Sequence, residues 1–510
     1  MRSSVFQYWN KVSNVELSPI LDATPIRTCP VLEPNGSAHG YDAQMPTPIE
    51  TDYLVIGAGA AGMAVTDALL SHGDASITVV ERRHAPGGHW LEAYPFVRLH
   101  QPSAFYGVDS VPLGKDAIDR GGLNAGFYEL ASADELRAYF ALVMQEHFLP
   151  TGRVRFFPCS DYVGGEGGRH HFVSRLTGAR QEVRVARKLV DTIYLEGSIP
   201  ATSKPPFEVD EGVQCIPAGE LARLPAHART FVVIGAGKTA MDTCVWLLSH
   251  GVAASSIRWV KPREGWWLNR RFHQPHTLLP DFYAGVGLQF QAMAQATTLD
   301  DLFLRLEAAG FLLRVDTAVM PTMLHGAILS EAELALLRQI TDVVRLGRVR
   351  RIGAQRTVLD GGEVATPPDA VHIHCAAAGL ARPPLRPIFE PGRLTVQPTM
   401  WGFACHQFAL LGAAEAMIDN DEEKNRLCRP IRYWDQSSDY LTAYMALLAG
   451  ERARAAHPAL AAWARESRLN PLGRLGEWAN DPSVVQTRGL LKKVGPAAVE
   501  NVTRLLAERQ

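Results

Sequence analysis

The sequence carries no excess charge, no long apolar run and no cysteine pair at redox or zinc spacing. Its 51 Lys and Arg against 53 Asp and Glu leave a formal charge of −2. That balance excludes a nucleic-acid binder working through bulk charge, and an acidic disordered chain. No apolar stretch approaches the roughly 20 residues of a bilayer-spanning helix, so no membrane partner is expected. Met1 to Asn10 lack a basic start followed by an apolar stretch. No signal peptide is read there, and the expected compartment is the cytoplasm. The seven cysteines, at 29, 159, 215, 244, 375, 405 and 428, are odd in number and nowhere spaced C-x-x-C. This removes a thioredoxin-type pair and a zinc ribbon. No G-x-S-x-G elbow is present, so a nucleophilic triad is not expected. His372 and His374 share one side of a strand without an evident third ligand, and no metal is expected.

The chain's 510 residues suit two to four domains, and 43 Gly with 33 Pro suit a loop-rich α/β protein. Residues 1 to 50 hold no sustained period and read as an extension. Order begins at Thr51. The apolar run Tyr53–Ile56, a glycine loop, a helical stretch to about His72 and the run Ile77–Val80 form a β-α-β unit. The pattern returns with Phe231–Ile234, a loop over Gly235–Thr239, a helical stretch over Ala240–His250 and Ile257–Val260. The second loop starts 178 residues after the first. Two such units imply two dinucleotide sites.

Gly57-Ala58-Gly59-Ala60-Ala61-Gly62 is G-x-G-x-x-G between a strand and a helix. Gly57 permits the tight turn, Gly59 lets a pyrophosphate approach the backbone, and Gly62 lets helix and strand pack closely. The phosphates then meet the positive end of a helix. Glu81 closes the next strand 24 residues after Gly57, with Arg82 beside it. A carboxylate there binds ribose hydroxyls and repels a 2′-phosphate, so this site suits FAD or NAD. Gly87-Gly88-His89-Trp90 follows, where paired glycines can pass close to a flat ring system that Trp90 walls.

The second loop is Gly235-Ala236-Gly237-Lys238-Thr239-Ala240. Where an NAD site carries an acid, this chain has Arg258, Lys261 and Arg263, and cations there suit the 2′-phosphate of NADPH. Trp266 and Trp267 follow, then Asn269, Arg270, Arg271, His273 and His276. These aromatics and cations can line a pocket near the nicotinamide or, for the tryptophans, fill the core.

Taken together, these motifs resemble the class B flavin monooxygenases, which include the flavin-containing, Baeyer–Villiger and N-hydroxylating enzymes. Leu189–Pro200 and Asp369–Leu380, with Gly379, stand where that family crosses between domains. Gln397 to Ile418 resembles its closing FAD segment. The likeness spans about Thr51 to Ile418. It departs from the family where the Baeyer–Villiger fingerprint is missing before the second loop, and where His100 replaces the aspartate of Y-P-G-x-R-x-D, which keeps Arg98.

The resemblance implies an α/β chain with two Rossmann-like domains. A FAD-binding domain covers 51–215 and 371–430, and an NADPH-binding domain covers 216–370 with a helical insertion at about 269–346. A helical region covers 431–510. It implies FAD and NADPH as cofactors, O2 and a small organic molecule as partners, and hydride transfer to flavin before oxygenation. His100, Gln101, Ser103, Tyr106 and Gln397 are flavin-side candidates. Arg263 resembles the cation that faces the flavin in Baeyer–Villiger enzymes, and gripping the 2′-phosphate stays open for it. A halogenase using Lys261, an NADPH:acceptor reductase and a non-catalytic flavin-binding protein are the alternatives. The insertion is expected to cover the site mouth or pack on the domain edge, and the tail to cap the FAD domain or form a homodimer contact.

Overall fold

The computed structural model describes residues 47–224, 230–367, 369–377 and 379–508. The extension read over 1–50 lies outside them except for its last four residues. The strand Ile49–Ile56, whose Tyr53–Ile56 half is fully buried, lies inside an eight-stranded sheet. It pairs in parallel with Ile77–Val80 on one side and Arg180–Asp191 on the other. Val154–Phe157 extends the first flank, and Arg393–Thr395 with Phe389–Glu390 the second. The helix Ala60–His72 is buried almost all round because Ala404–Met417, equally apolar, packs against it.

The second sheet has five parallel strands: Val343–Val344, Ile257–Val260, Thr230–Ile234, Ala370–His374 and Cys215–Pro217. Parallel strands covered on both faces read as continuous apolar runs, which is why both units were visible in the sequence. Two expectations shift. Ala370–His374 belongs to this second sheet, so the return to the first begins at Phe389, not at 371. An apolar five-residue strand fits either sheet, and only its pairing with Thr230–Ile234 decides.

The insertion is not wholly helical. Helix Leu299–Ala308 stops before Gly310, whose φ of 74° ends the helical path. Leu312–Arg314 then pairs antiparallel with Gly265–Asn269, and Met323–Leu329 pairs parallel on its other side. Trp266 and Trp267, each 1% exposed, are core residues of this small sheet and of its join to the second sheet. The capping box read at Ser330 and Glu333 is formed at the start of Glu331–Leu337. The tail is helical, and its helix Pro482–Ala507 anchors to the insertion through Asn501, which donates to Met293 O and Ala296 O.

Candidate functional site

The first loop begins where Ile56 gives way to Gly57, whose φ is 99°. Its N–H donates to Val80 O at 2.8 Å. Gly59 opens the helix Ala60–His72 without a side-chain cap, leaving first-turn amides for an anion. A methyl on Gly62 would stand 2.0 Å from Gly57 O, and one on Gly88 2.9 Å from Gly59 Cα. So the Gly87–Gly88 turn lies on the loop, held by Gly87 N–H donating to Ala58 O. Glu81 is buried, and its two oxygens accept from the amides of Ala58 (2.7 Å) and Arg83 (2.8 Å). Each oxygen keeps a lone pair for a ribose hydroxyl. These residues fit a dinucleotide.

The second loop repeats the register. Gly235 N–H donates to Val260 O at 3.0 Å, as Gly57 does to Val80. Gly237 opens Lys238–Ser249, again without a side-chain cap, and space in front of its α-carbon is open. Ile56 faces Val80 and Ile234 faces Val260, so Lys261 is the register partner of Glu81. Arg258 is not: it lies within the strand, bound to Asp342 (2.9 Å) and Ala365 O (2.5 Å). Lys261 is 1% exposed and ion-paired with Glu264 over the Trp259 ring. The sequence cations therefore do not converge on one point, because each meets its own acceptor.

A cleft of about 210 Å³ is lined among others by His89 and Trp90 of the segment after the first loop, by Tyr94 and Ala218, and by Thr239 of the second loop. Tyr94 donates to Asp242 at 2.7 Å, and Lys238 holds the other oxygen of that carboxylate. Trp90 Nε1 donates to Tyr106 OH, so Tyr106 supports the ring wall. Burial, then the charges of Lys238 and Arg270, pushes His100 down to about 3, which leaves a neutral imidazole. Helix Ala404–Met417 opens on Phe403 at a φ of 41°, a strained start for a non-glycine and a third uncapped one.

Other sequence candidates make contacts within the chain. Ser103 accepts from Ala131 N and donates to Glu129 O, and Gln101 reaches Phe105 O. Arg98 donates to Leu130 O, and Gln397 is paired on both amide atoms with the backbone of Arg386. Arg82 pairs with Glu196 at the surface. Gly379 accepts from Ser198 N at 3.0 Å, where the two crossing segments meet. A cavity of about 410 Å³, lined by Arg98, Asp119, Glu129 and Glu135, includes neither glycine loop.

Arg263 is engaged by the tail. It grips Asp435 with two nitrogens (2.9 and 3.1 Å), and His325 (2.9 Å) and Arg382 (3.2 Å) reach the same carboxylate. Asp435 O also accepts from Leu324 N. This four-residue hub ties the tail to the second domain. The Arg263 hydrogen bonds hold the Asp435 carboxyl well below its ordinary range. A lowered folded pKa stabilises above the unfolded value and is lost as pH falls through the folded one. Asp435→Asn should therefore lower Tm by a few degrees at pH 7, from a partly exposed network worth about 1 kcal/mol. The gap between variant and wild type should begin to narrow only as pH falls below about 4, in thermal melts taken across pH.

Comparison with known proteins places the chain. A model of the NAD(P)-binding Rossmann-like domain matches residues 55–101. The uncharacterized protein Rv2000 of Mycobacterium tuberculosis is 43% identical over 428 residues, 84% of this chain and 79% of that protein. A Mycobacterium bovis protein matches over the same lengths. The chain belongs to this mycobacterial protein family. Among solved structures, the family member resembles Tmm from Pelagibacter (TM-score 0.44, 10% identity, covering 79% of this chain and 85% of that one). It also resembles a cyclohexanone-bound cyclohexanone monooxygenase (TM-score 0.46, 13% identity, covering 72% and 88%). A flavin-containing monooxygenase from Stenotrophomonas maltophilia gives a TM-score of 0.37 at 17% identity over 69% and 86%. These are distant likenesses and decide nothing about the reaction. Among the described residues of this family member, no helix is long and apolar enough to cross a membrane.

Proposed function

We propose that the protein is a single-component monooxygenase that uses FAD, NADPH and O2 on a small organic molecule. One observation carries the reading. Two glycine loops in the same strand register open two uncapped helices, with an acid after one paired strand and a lysine after the other. Glu81 would receive ribose hydroxyls of FAD, and the Gly59–Gly62 turn its pyrophosphate. Gly237 and Thr239 would face the pyrophosphate of NADPH, with no carboxylate in the register place of Glu81 to repel a 2′-phosphate. When bound, the two nucleotides supply hydride transfer and the activation of O2. The chain's own part is to align them across the cleft of His89, Trp90, Tyr94 and Thr239, and to keep water from it.

The purified protein should be yellow, oxidise NADPH faster than NADH, and place one atom of labelled dioxygen in a product. Material that stays colourless and refuses FAD on reconstitution would sink the proposal. NADPH oxidation that yields only hydrogen peroxide with every substrate would reduce it to an oxidase or reductase.

A further inference from the structure

Arg468 stands just after the tail helix Pro458–Glu466, well beyond Ile418, where the family likeness ends. Its guanidinium serves one stretch of the first domain. Nη1 donates to Ala104 O at 2.8 Å, and Nη2 to Tyr106 O (2.9 Å), Val111 O (2.8 Å) and Val108 O. Nε is buried without an acceptor, so the hydrogen bonds of this side chain all go to segment 104–111. A planar fork of donors can hold carbonyls that arrive from several directions, which a lysine ammonium matches poorly. The residues on either side add to the grip. Ser467 Oγ donates to Asp109 Oδ1 at 3.0 Å, and Leu469 N to the same oxygen at 3.4 Å.

Segment 104–111 is tied elsewhere to the helix of the first glycine loop. Asp67, buried in Ala60–His72, accepts from the amides of Asp109 (2.9 Å) and Ser110 (3.0 Å). The Tyr139 hydroxyl accepts from Val108 N and donates to Val111 O. Tyr106 sits inside this clamped segment. Its hydroxyl accepts from Trp90 Nε1 at 2.9 Å, and the two rings meet edge to face with centroids 6.0 Å apart. An indole has one N–H to give, and Tyr106 receives it. Trp90 in turn lines the cleft that Thr239 of the second loop also lines. Direct contacts therefore run from Arg468 to the backbone of Tyr106, from its hydroxyl to Trp90, and so to the cleft wall.

We propose that Arg468 is a positioning residue: by fixing the backbone that carries Tyr106, it sets the angle of the Trp90 ring in the cleft wall. Its effect on turnover rests on the proposed monooxygenase function; its effect on Trp90 does not. The test has two arms, both on the full-length protein as purified. The first reads Trp90 itself, as the near-ultraviolet circular dichroism lost on Trp90→Phe. Arg468→Lys keeps the charge without the fork and should at least halve that difference. Arg454→Lys is the control. Arg454 is a buried tail arginine that bonds elsewhere, to Leu427 O and Glu451. Its replacement should leave the Trp90 signal intact, even at an equal loss of Tm.

The second arm reads NADPH oxidation. Arg468→Lys should lower kcat about tenfold through misalignment, with KM for NADPH within about twofold, because the second loop is untouched. Tyr106→Phe removes the acceptor of Trp90 and leaves the clamp alone. It should cost the same, and the double variant should lose no more than either single one. The proposal fails if Arg468→Lys leaves the Trp90 signal intact, or if Arg454→Lys moves it as far. It fails equally if the double variant shows the product of the two single losses. Should Arg468→Lys not fold, Ser467→Ala, which frees only Asp109, must shift the same signal in the same direction, and no shift overturns the proposal. A protein that oxidises no NADPH ends the monooxygenase reading, and the dichroism arm still decides on Arg468.

Discussion

On the proposed reading, a Gly62→Ala protein should no longer hold FAD, and it should melt several degrees below wild type. The added methyl would stand 2.0 Å from Gly57 O and 3.0 Å from Gly57 C. Both are backbone atoms of the loop itself, so no flexible side chain can move aside. The helix Ala60–His72 must lift from the strand Ile49–Ile56, an overpacking that costs roughly 1–3 kcal/mol or more. For a domain of this size that is about 2–4 °C per kcal/mol. The lift also carries the first-turn amides away from the place the pyrophosphate would take.

Gly237→Ala is the informative partner. Gly237 has a φ of −88°, which any residue adopts, and nothing lies within 4 Å of an added methyl. The variant should therefore keep the wild-type Tm and its flavin, yet weaken NADPH, because the methyl points into the open space before the second helix. Differential scanning calorimetry and nucleotide titration on both variants separate the effects. If Gly237→Ala binds NADPH like wild type, the second loop does not hold a nucleotide.

The contrast shows what was legible in the sequence. Both β-α-β units were readable because strand, glycine turn and helix are contiguous, and apolar parallel strands announce themselves. Ser330 with Glu333 was readable for the same reason, since a capping box is a four-residue event. What escaped was long-range pairing between side chains of ordinary type. Arg263 looked free for a phosphate or a flavin, but its acceptor, Asp435, lies 172 residues away. Arg270 finds Glu333 only because the insertion folds back. Leu312–Arg314 read as more helix because its apolar residues continue those of the helix before it, and only the left-handed Gly310 separates them. The cation cluster from Arg258 to Arg263 misled for a related reason. Sequence proximity says nothing of direction, and these three side chains leave the strand toward three different acids.

Glu264→Leu should be among the most destabilising single changes in the second domain, and far worse than Lys261→Met. Lys261 is 1% exposed, and Glu264 is its charge partner. Removing the acid strands a buried ammonium, which costs about 3–5 kcal/mol. The Trp259 ring, 4.3 Å from Nζ, offsets part of this. Removing the lysine instead leaves Glu264 paired with Arg345 at 2.9 Å, so the loss is smaller. The pH response should differ too. Burial already lowers the Lys261 pKa, against the pull of Glu264. Without the acid it falls further, so the unfolded chain binds the extra proton and stability rises with pH up to the ordinary lysine range. Glu264→Leu should thus recover part of its lost Tm between about pH 7 and 10, and Lys261→Met should not. Lys261→Met with Glu264→Leu, an apolar pair of similar volume, should restore most of the stability. That double variant also isolates chemistry from packing: if it keeps its Tm and its nucleotides but loses all turnover, the lysine returns to the reaction, and the placement of Lys261 as a structural ion-pair partner is wrong.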